Sequence, residues 1–302
     1  MTELCGGIDL GGTKIEARLF SGPDAETTDI RRIPTPTDAF APMIDAVADQ
    51  LDWLTGQAGA IPVGLSVAGL IDPVTGESFA SNLPTTGHAI APAIAERTGL
   101  TVPVVNDTMA FTYSEAHGGA GEGAEVVMGL ILGTGVGGGI CIGGQLPHRH
   151  AGLSVEVGHL GVSNRALARH GLPLWPCGCG RMGCVENYVS GTGLTNLAEW
   201  RMGRRLSAEE LEASTDPRAA EVMEIWSDLA GDCLHAIQIM LDPDCIVLGG
   251  GLSKMPGIAE RMTEALERNR LGRARLPRIV TARHGDSSGA RGAALLARAA
   301  SC

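Results

Sequence analysis

Three sets of residues in this 302-residue chain have types and spacings suited to chemistry. Cys177-x-Cys179-x4-Cys184, threaded with Gly178, Gly180 and Gly183, puts three thiols on one tight loop, with His159 upstream. A Cys3His set closes a tetrahedral zinc site and leaves no position for a catalytic water, so the metal expected on His159, Cys177, Cys179 and Cys184 is structural. The second set is a pair of glycine turns. Ile8-Asp9-Leu10-Gly11-Gly12-Thr13-Lys14 aligns residue for residue with Leu130-Ile131-Leu132-Gly133-Thr134-Gly135-Val136, and Gly137 and Gly138 follow the second copy. Backbone N–H groups at such turns cradle phosphate oxygens, and a carboxylate beside them can hold Mg²⁺. Asp9 and Lys14 become Ile131 and Val136 in the second copy, so only the first turn can hold a metal. The third set is Asn106-Asp107, which ends the apolar run "VPVV". A carboxylate at a strand end suits general-base work, and the same pair suits a helix cap.

These residues need elements to hold them. "CGGIDLGGTKIEARLF" reads as two strands around the first turn, and Phe40, Ile44, Val47, Leu51 and Leu54 step at helical spacing directly after it. "IPVGLSV" and "TVPVVN" read as short buried strands, "TMAFTYSEA" as a helix, and "VVMGLILGTGVGGGICIGG" as a second hairpin. Val222 to Met240 marks a long helix ending at Asp242-Pro243, before the strand "CIVLGGG". The repeated hairpin is an internal duplication of one half-fold. The glycine-rich stretch from Gly118 to Glu125 marks the boundary between halves.

Rival readings of the glycines fail on context. Gly133-x-Gly135-x-x-Gly138 matches a dinucleotide fingerprint, but an apolar strand follows where that motif needs a helix. No Gly-Lys-Ser/Thr tripeptide exists for a Walker A loop. Plain tight turns explain one glycine in each copy, not runs of them. Nucleotide phosphates held between two hairpins is the better account.

Composition excludes other classes. With a net charge of −11, the chain repels nucleic acid and anionic lipid in general. It has no apolar run of the roughly 18 residues a spanning helix needs, and no leader pattern. A cytoplasmic protein with no membrane partner is expected, with its eight cysteines reduced. Cys5, Cys141, Cys233, Cys245 and Cys302 read as core residues or bystanders, and the arginines from 268 to 278 as a solvated face.

"GIDLGGTK", "VND", "GLILGTGVGGG", "EVGH", "CGCGRMGC", "ENY" and "LDPDCIVLGGGLS" run in one order along nearly the whole chain. Together they resemble the ROK family of bacterial sugar kinases and sugar-sensing repressors. The resemblance implies an α/β fold of the actin-like ATPase type, a duplicated ribonuclease-H-like unit forming two domains around a cleft. The domains would be 1–117 with 285–302, and 118–284. It implies ATP-dependent phosphorylation of a hexose at its 6-hydroxyl, with Asp107 as base, Mg²⁺ beside Asp9, and zinc on the Cys3His set. Gly69, Asn82, Asn106, Asp107, Glu156, His159 and Glu186 would line the hexose site. Asp9, Gly11, Gly12, Thr13 and Lys14 would meet the nucleotide, as would Gly133, Thr134, Gly135, Gly137, Gly138, Gly249, Gly250 and Gly251. Overall likeness implies N-acetyl-D-glucosamine as the hexose, with fructose and glucose as alternatives, and a homodimer as the assembly. The family's repressors carry a DNA-binding helix-turn-helix ahead of the sugar domain. Here the first strand begins within a few residues of Met1, so a DNA-binding role is not expected, and Asp107, Asp9 and both glycine turns, which a purely sensing member would be expected to lose, favour a kinase over a sensor. The chain departs from the family pattern at Ala68, where proline is usual, and at Thr108-Met109, where alanine and asparagine are usual.

Overall fold

The structure is a computed structural model that describes residues 4–301, so Cys302 lies outside the described residues. A hairpin opens the chain, β1 (Cys5–Leu10) and β2 (Lys14–Ser21), with Leu10 opposite Ile15 and Asp9 opposite Glu16. Because strand side chains alternate, Ile8, Leu10, Ile15 and Ala17 share one fully buried face. A third strand, β3 (Glu26–Pro34), lies where the sequence reading places none. It is an exposed edge strand of mostly polar residues, so it lacks the apolar alternation that announces a strand. Helix α1 (Phe40–Ala58) then lays Met43, Ile44, Val47, Leu51 and Leu54 over the buried face.

Strand β4 (Val63–Val67) leads into a small sheet of β5 (Leu70–Ile71), β6 (Glu77–Phe79) and β7 (His88–Ala89). After α2 (Ile90–Thr98) come β8 (Val104–Asn106) and α3 (Asp107–Ala116). The second hairpin is β9 (Val126–Leu132) and β10 (Val136–Ile142). Helices α4 (Asn164–His170), α5 (Glu186–Val189), α6 (Gly191–Met202) and α7 (Ala208–Glu212) precede the long α8 (Pro217–Leu241). Asp242 caps α8 in the left-handed conformation, and Pro243 stops it. The chain closes with β11 (Cys245–Gly249), α9 (Ile258–Asn269), β12 (Arg278–Thr281) and α10 (Ser288–Ala300). No helix among the described residues is long and apolar enough to cross a membrane.

The main sheets run β3-β2-β1-β4-β8 and β10-β9-β11-β12. Removing the edge strand β3 leaves the same order in both: hairpin partner, first strand, then two parallel strands. The duplication read from the glycine turns is therefore a duplication of topology. The chain forms two compact units. The first runs to Glu122 and takes in Gly139–Ser154 and the segment from His284, and the second comprises Gly123–Gly138 and Val155–Arg283. Compared with the expected bounds of 118–284, this division starts the second unit at Gly123, ends it at Arg283 and groups Gly139–Ser154 with the first unit. Gly139 shows why, since it rests against the Thr108 carbonyl and Thr112 hydroxyl of α3, where a side chain would collide.

Helix α10 covers the face of the first sheet opposite α1. Gly7 of β1 and Gly64 of β4 let it approach until their missing side chains would strike the carbonyl oxygens of Ala290 and Ala293. On that same face lies a cross of charge centred on Glu16. Lys14 and Arg18 flank it along β2, while Asp9 stands opposite on β1 and Arg32 opposite on β3. The buried Glu16 carboxylate accepts from Arg18 Nε at 2.5 Å, from Lys14 Nζ at 2.8 Å and from Arg32 Nε. Burial alone would raise the Glu16 carboxyl, but Lys14, Arg32 and Arg18 outweigh it and hold it at about 2.

Two stability predictions arise from this packing. Gly64→Ala should cost about 1–3 kcal/mol in denaturant unfolding, because the new methyl meets backbone that cannot rotate aside. Glu16 returns to about 4.5 when unfolded. Its ionised form thus contributes stability that is complete above that pH and disappears as pH falls through about 2, up to about 3 kcal/mol. The stability difference between wild type and Glu16→Gln, measured from pH 6 to pH 2, should shrink across that window; a constant difference would contradict the assignment.

Candidate functional site

In the first unit, register builds the site. Leu10, Val67 and Asn106 lie in one row across the parallel strands β1, β4 and β8. The first glycine turn, the Ala68-Gly69 loop and Asp107 therefore leave the sheet along its carboxyl edge, where ligands of such sheets bind. Neighbouring strands are about 4.8 Å apart, so the turn and Asp107 emerge about 10 Å from one another. The turn closes with Gly11 N–H donating to Lys14 O at 3.1 Å, and Thr35 Oγ1 donates to Gly11 O at 2.6 Å. Thr13 stands exposed at its tip, and the Lys14 ammonium is held by Glu16.

Asp9 accepts a 2.9 Å hydrogen bond from Ser66 Oγ, directly opposite on β4. Burial, with the Glu16 charge behind it, raises the Asp9 carboxyl above the usual range, against the opposing pulls of Ser66, Lys14 and Arg18. Such a carboxylate, beside a glycine turn, has the donor chemistry of a Mg²⁺ site. Gly289 of α10 closes in on it, since a side chain there would begin 2.8 Å from Asp9 Oδ1. The Asn82 amide lies against Gly12, so that residue sits over the first turn.

Asn106 is the cap of α3. Its Oδ1 takes the N–H groups of Thr108 and Met109 and the Thr108 hydroxyl, while Nδ2 donates to Gly69 O at 2.8 Å and to Asp107 Oδ1 at 3.1 Å. The helix-cap alternative is thus realised by Asn106, and the neighbouring Asp107 is carried at the first residue of the helix. Thr108 holds the cap through both its N–H and its hydroxyl. Gly69 has φ 118°, a conformation that glycine tolerates and other residues rarely adopt.

The second unit gathers the remaining residues. Gly133 N–H donates to Gly135 O at 3.0 Å across the second turn, with Thr134 exposed at its tip like Thr13 in the first. Gly137 and Gly138 continue into β10, and Gly138 accepts the Val155 N–H at 2.8 Å. Gly249 pairs with Ile131, and Gly250, at φ 79°, presses against the Leu132 carbonyl. Gly249, Gly250 and Gly251 therefore sit beside the second turn. Glu156 precedes a short 3-10 turn, Val157–His159, that delivers His159 to the cysteine loop.

The ligand atoms of His159, Cys177, Cys179 and Cys184 all lie within 4.8 Å of one another. Cys179 and Cys184 sulfurs are 3.6 Å apart, and Cys177 Sγ is 3.7 Å from His159 Nδ1. Zn–S bonds of about 2.3 Å in a tetrahedron set sulfurs about 3.8 Å apart, so the set fits zinc. Glu186 adjoins it: Cys177 Sγ is 2.9 Å from its Oε1, and its other oxygen lies against Gly135 of the second turn. One carboxylate thus spans the cysteine loop and the glycine turn. Cys5 and Cys245 are buried, and burial pushes Cys141 up to about 11 and Cys233 up to about 12, as inert core thiols.

Sequence reasoning did not single out Glu16, Ser66 or Thr35. For Glu16 the signal was present as a charge two residues from Lys14, which alternation puts on the same face.

A model of the ROK family matches residues 5–300. N-acetyl-D-glucosamine kinase from Escherichia coli O127:H6 (strain E2348/69 / EPEC) is 39% identical over 300 residues, covering 96% of this chain and 98% of that protein. Among solved structures, a ROK hexokinase from Thermus thermophilus aligns with a TM-score of 0.82 at 31% identity over 97% of each chain. A ROK family glucokinase from Streptomyces griseus, solved in complex with glucose and AMPPNP, aligns with a TM-score of 0.80 at 28% identity, over 98% of this chain and 99% of that one. The two α/β units with matching strand orders are the duplicated actin-like ATPase fold, and the chain belongs to the ROK family.

Proposed function

We propose that this protein transfers the γ-phosphoryl group of ATP to the 6-hydroxyl of a hexose, with N-acetyl-D-glucosamine as the preferred sugar. The observation that carries the reading is the row Leu10–Val67–Asn106, which brings a carboxylate and a phosphate-type turn to one sheet edge within a chain of this family. Asp107 accepts the proton as the hydroxyl oxygen bonds to phosphorus and the bond to the ADP oxygen breaks. The first turn, with Thr13 at its tip, meets the transferring phosphates, and the second turn with Gly249, Gly250 and Gly251 receives the rest of the nucleotide. Asp9 would hold Mg²⁺, which supplies charge neutralisation at the phosphates.

Asn106, Asp107, Glu156, His159 and Glu186 read the sugar hydroxyls, with Gly69 and Asn82 closing the site. Asn106 contributes chiefly by holding Gly69 and Asp107, since its own polar atoms are engaged. Zinc on His159, Cys177, Cys179 and Cys184 would be structural, stiffening the loop that carries Glu186. The same reading takes the chain to act as a homodimer without a nucleic-acid partner.

Fructose is the second reading, since the block "HGDSSGARGAA" resembles fructokinases as well. Here that block packs the fold: Ser288 donates to Glu115, Gly289 rests on Asp9, and Gly292 rests on the Ala110 carbonyl. Its likeness therefore argues about helix packing, not about the sugar.

ADP release measured over N-acetylglucosamine, glucose, fructose, mannose and N-acetylmannosamine tests the substrate. N-acetylglucosamine should give the highest kcat/KM, and a tenfold advantage for another sugar, about 1.4 kcal/mol, would replace it. In the same assay Asp107→Asn should lose about 10²- to 10⁴-fold in kcat with sugar affinity largely kept, because the amide still accepts the Thr108 N–H. Near wild-type turnover would remove Asp107 from the chemistry. Freshly purified protein should contain about one zinc per chain. Cys179→Ala should lower both metal content and sugar affinity; Cys179 is exposed, so its loss opens no core cavity. Metal analysis finding no zinc in never-chelated protein would end that assignment.

A further inference from the structure

The first hairpin carries more charge than phosphate binding requires. A turn that receives polyphosphate gains from cations, yet Asp9 and Glu16 stand directly opposite one another on β1 and β2. Like charges so placed repel. Lys14, Arg18 and Arg32 all bind Glu16 directly, whereas Asp9 takes its hydrogen bond from Ser66 and feels Lys14 and Arg18 only through space. Among the described residues, Glu16 is thus the one group that pairs with the Lys14 ammonium. It also fixes the local charge: two carboxylates against three cations leave a single positive charge.

We infer that Glu16 is a positioning residue that tethers Lys14 beside Asp9 and limits the charge of the hairpin, making it take metal-complexed nucleotide in preference to metal-free nucleotide. The inference rests on the reading of the first turn as a phosphate turn. Without Glu16 the hairpin would carry two positive charges and would attract bare polyphosphate directly. With it, the same set of Asp9, Glu16, Lys14, Arg18 and Arg32 carries only one, and a divalent ion brought by the nucleotide finds Asp9 available as a partner. Arg32 works in the opposite sense. It lies on the edge strand with its side chain about half exposed, and it adds charge without entering the turn.

The test needs no turnover. ADP binding to the full-length protein is measured by calorimetry with Mg²⁺ and with EDTA, for wild type, Glu16→Gln and Arg32→Gln, with thermal melts to establish that each is folded. Glu16→Gln should tighten metal-free ADP and narrow the ratio of the two dissociation constants by about three- to tenfold. Arg32→Gln should weaken metal-free ADP and widen that ratio. A merely structural role would weaken both forms alike and leave the ratio unmoved. If Glu16→Gln does not fold, the direction of the Arg32→Gln shift decides. A ratio within about twofold of wild type in folded variants, or a shift of both variants in one direction, overturns the inference while nucleotide binding stands. Wild-type protein that binds ADP under neither condition overturns the phosphate reading and this inference with it.

Discussion

The first unit depends on backbone meeting backbone. Gly7 and Gly64 on adjacent strands and Gly292 on α10 remove side chains at three points where a methyl group would strike a carbonyl oxygen. The helix is drawn in by its own Ala290, Ala293, Ala294 and Ala297, all buried. A chain with few aromatics can fill a core this way only by shortening the distance between layers, since it lacks large rings to bridge a wider gap. Everything at the carboxyl edge of the sheet inherits that closeness. Gly289 reaches Asp9 because the helix behind it is already seated on β1 and β4.

The second unit solves a different problem with a different device. Its cysteine loop is short, glycine-rich and poor in apolar contacts, so packing alone holds it weakly. Trp175 stacks on Tyr188 at 4.7 Å, and the Tyr188 hydroxyl donates to Pro173 O, which anchors the loop's entry. Three sulfurs and an imidazole converge in its interior, and Glu186 links the loop to Gly135. In the first unit carbonyls and glycines set the positions of the side chains, whereas in the second an aromatic stack and a cluster of potential ligand atoms lie where that packing would be.

What the sequence disclosed follows from where apolar periodicity is strong. The hairpin strands, α1 and α8 were readable because each turns a regular apolar face to a core, and the Asp242-Pro243 stop was written in residue type. Strand β3 was not, because an exposed edge needs backbone pairing and no buried stripe. The small β5–β7 sheet was missed for its brevity, with only two or three residues in each strand. Glycine turns and clustered cysteines were visible as candidate chemistry, but the partners that give them shape were not. Ser66 meets Asp9, Glu115 meets Ser288, and Glu16 meets Arg32 only through register, which sequence spacing does not encode. The double use of Asn106, as helix cap and as brace for Gly69, was equally hidden, since either role fits the residue type.

The position of α10 in the chain bears on how the protein is made. Gly7 and Ala290, which touch in the finished fold, are separated by nearly the whole sequence, and joining them closes a very long loop. On the ribosome the strands of the first unit emerge early, but the face meant for α10 stays uncovered until that helix, synthesised after every other element described, is released. The second unit, whose residues all precede His284, can be complete while its older neighbour still waits. The unit translated first is therefore the one to finish folding last, and during that interval its half-covered sheet is a natural client for chaperones.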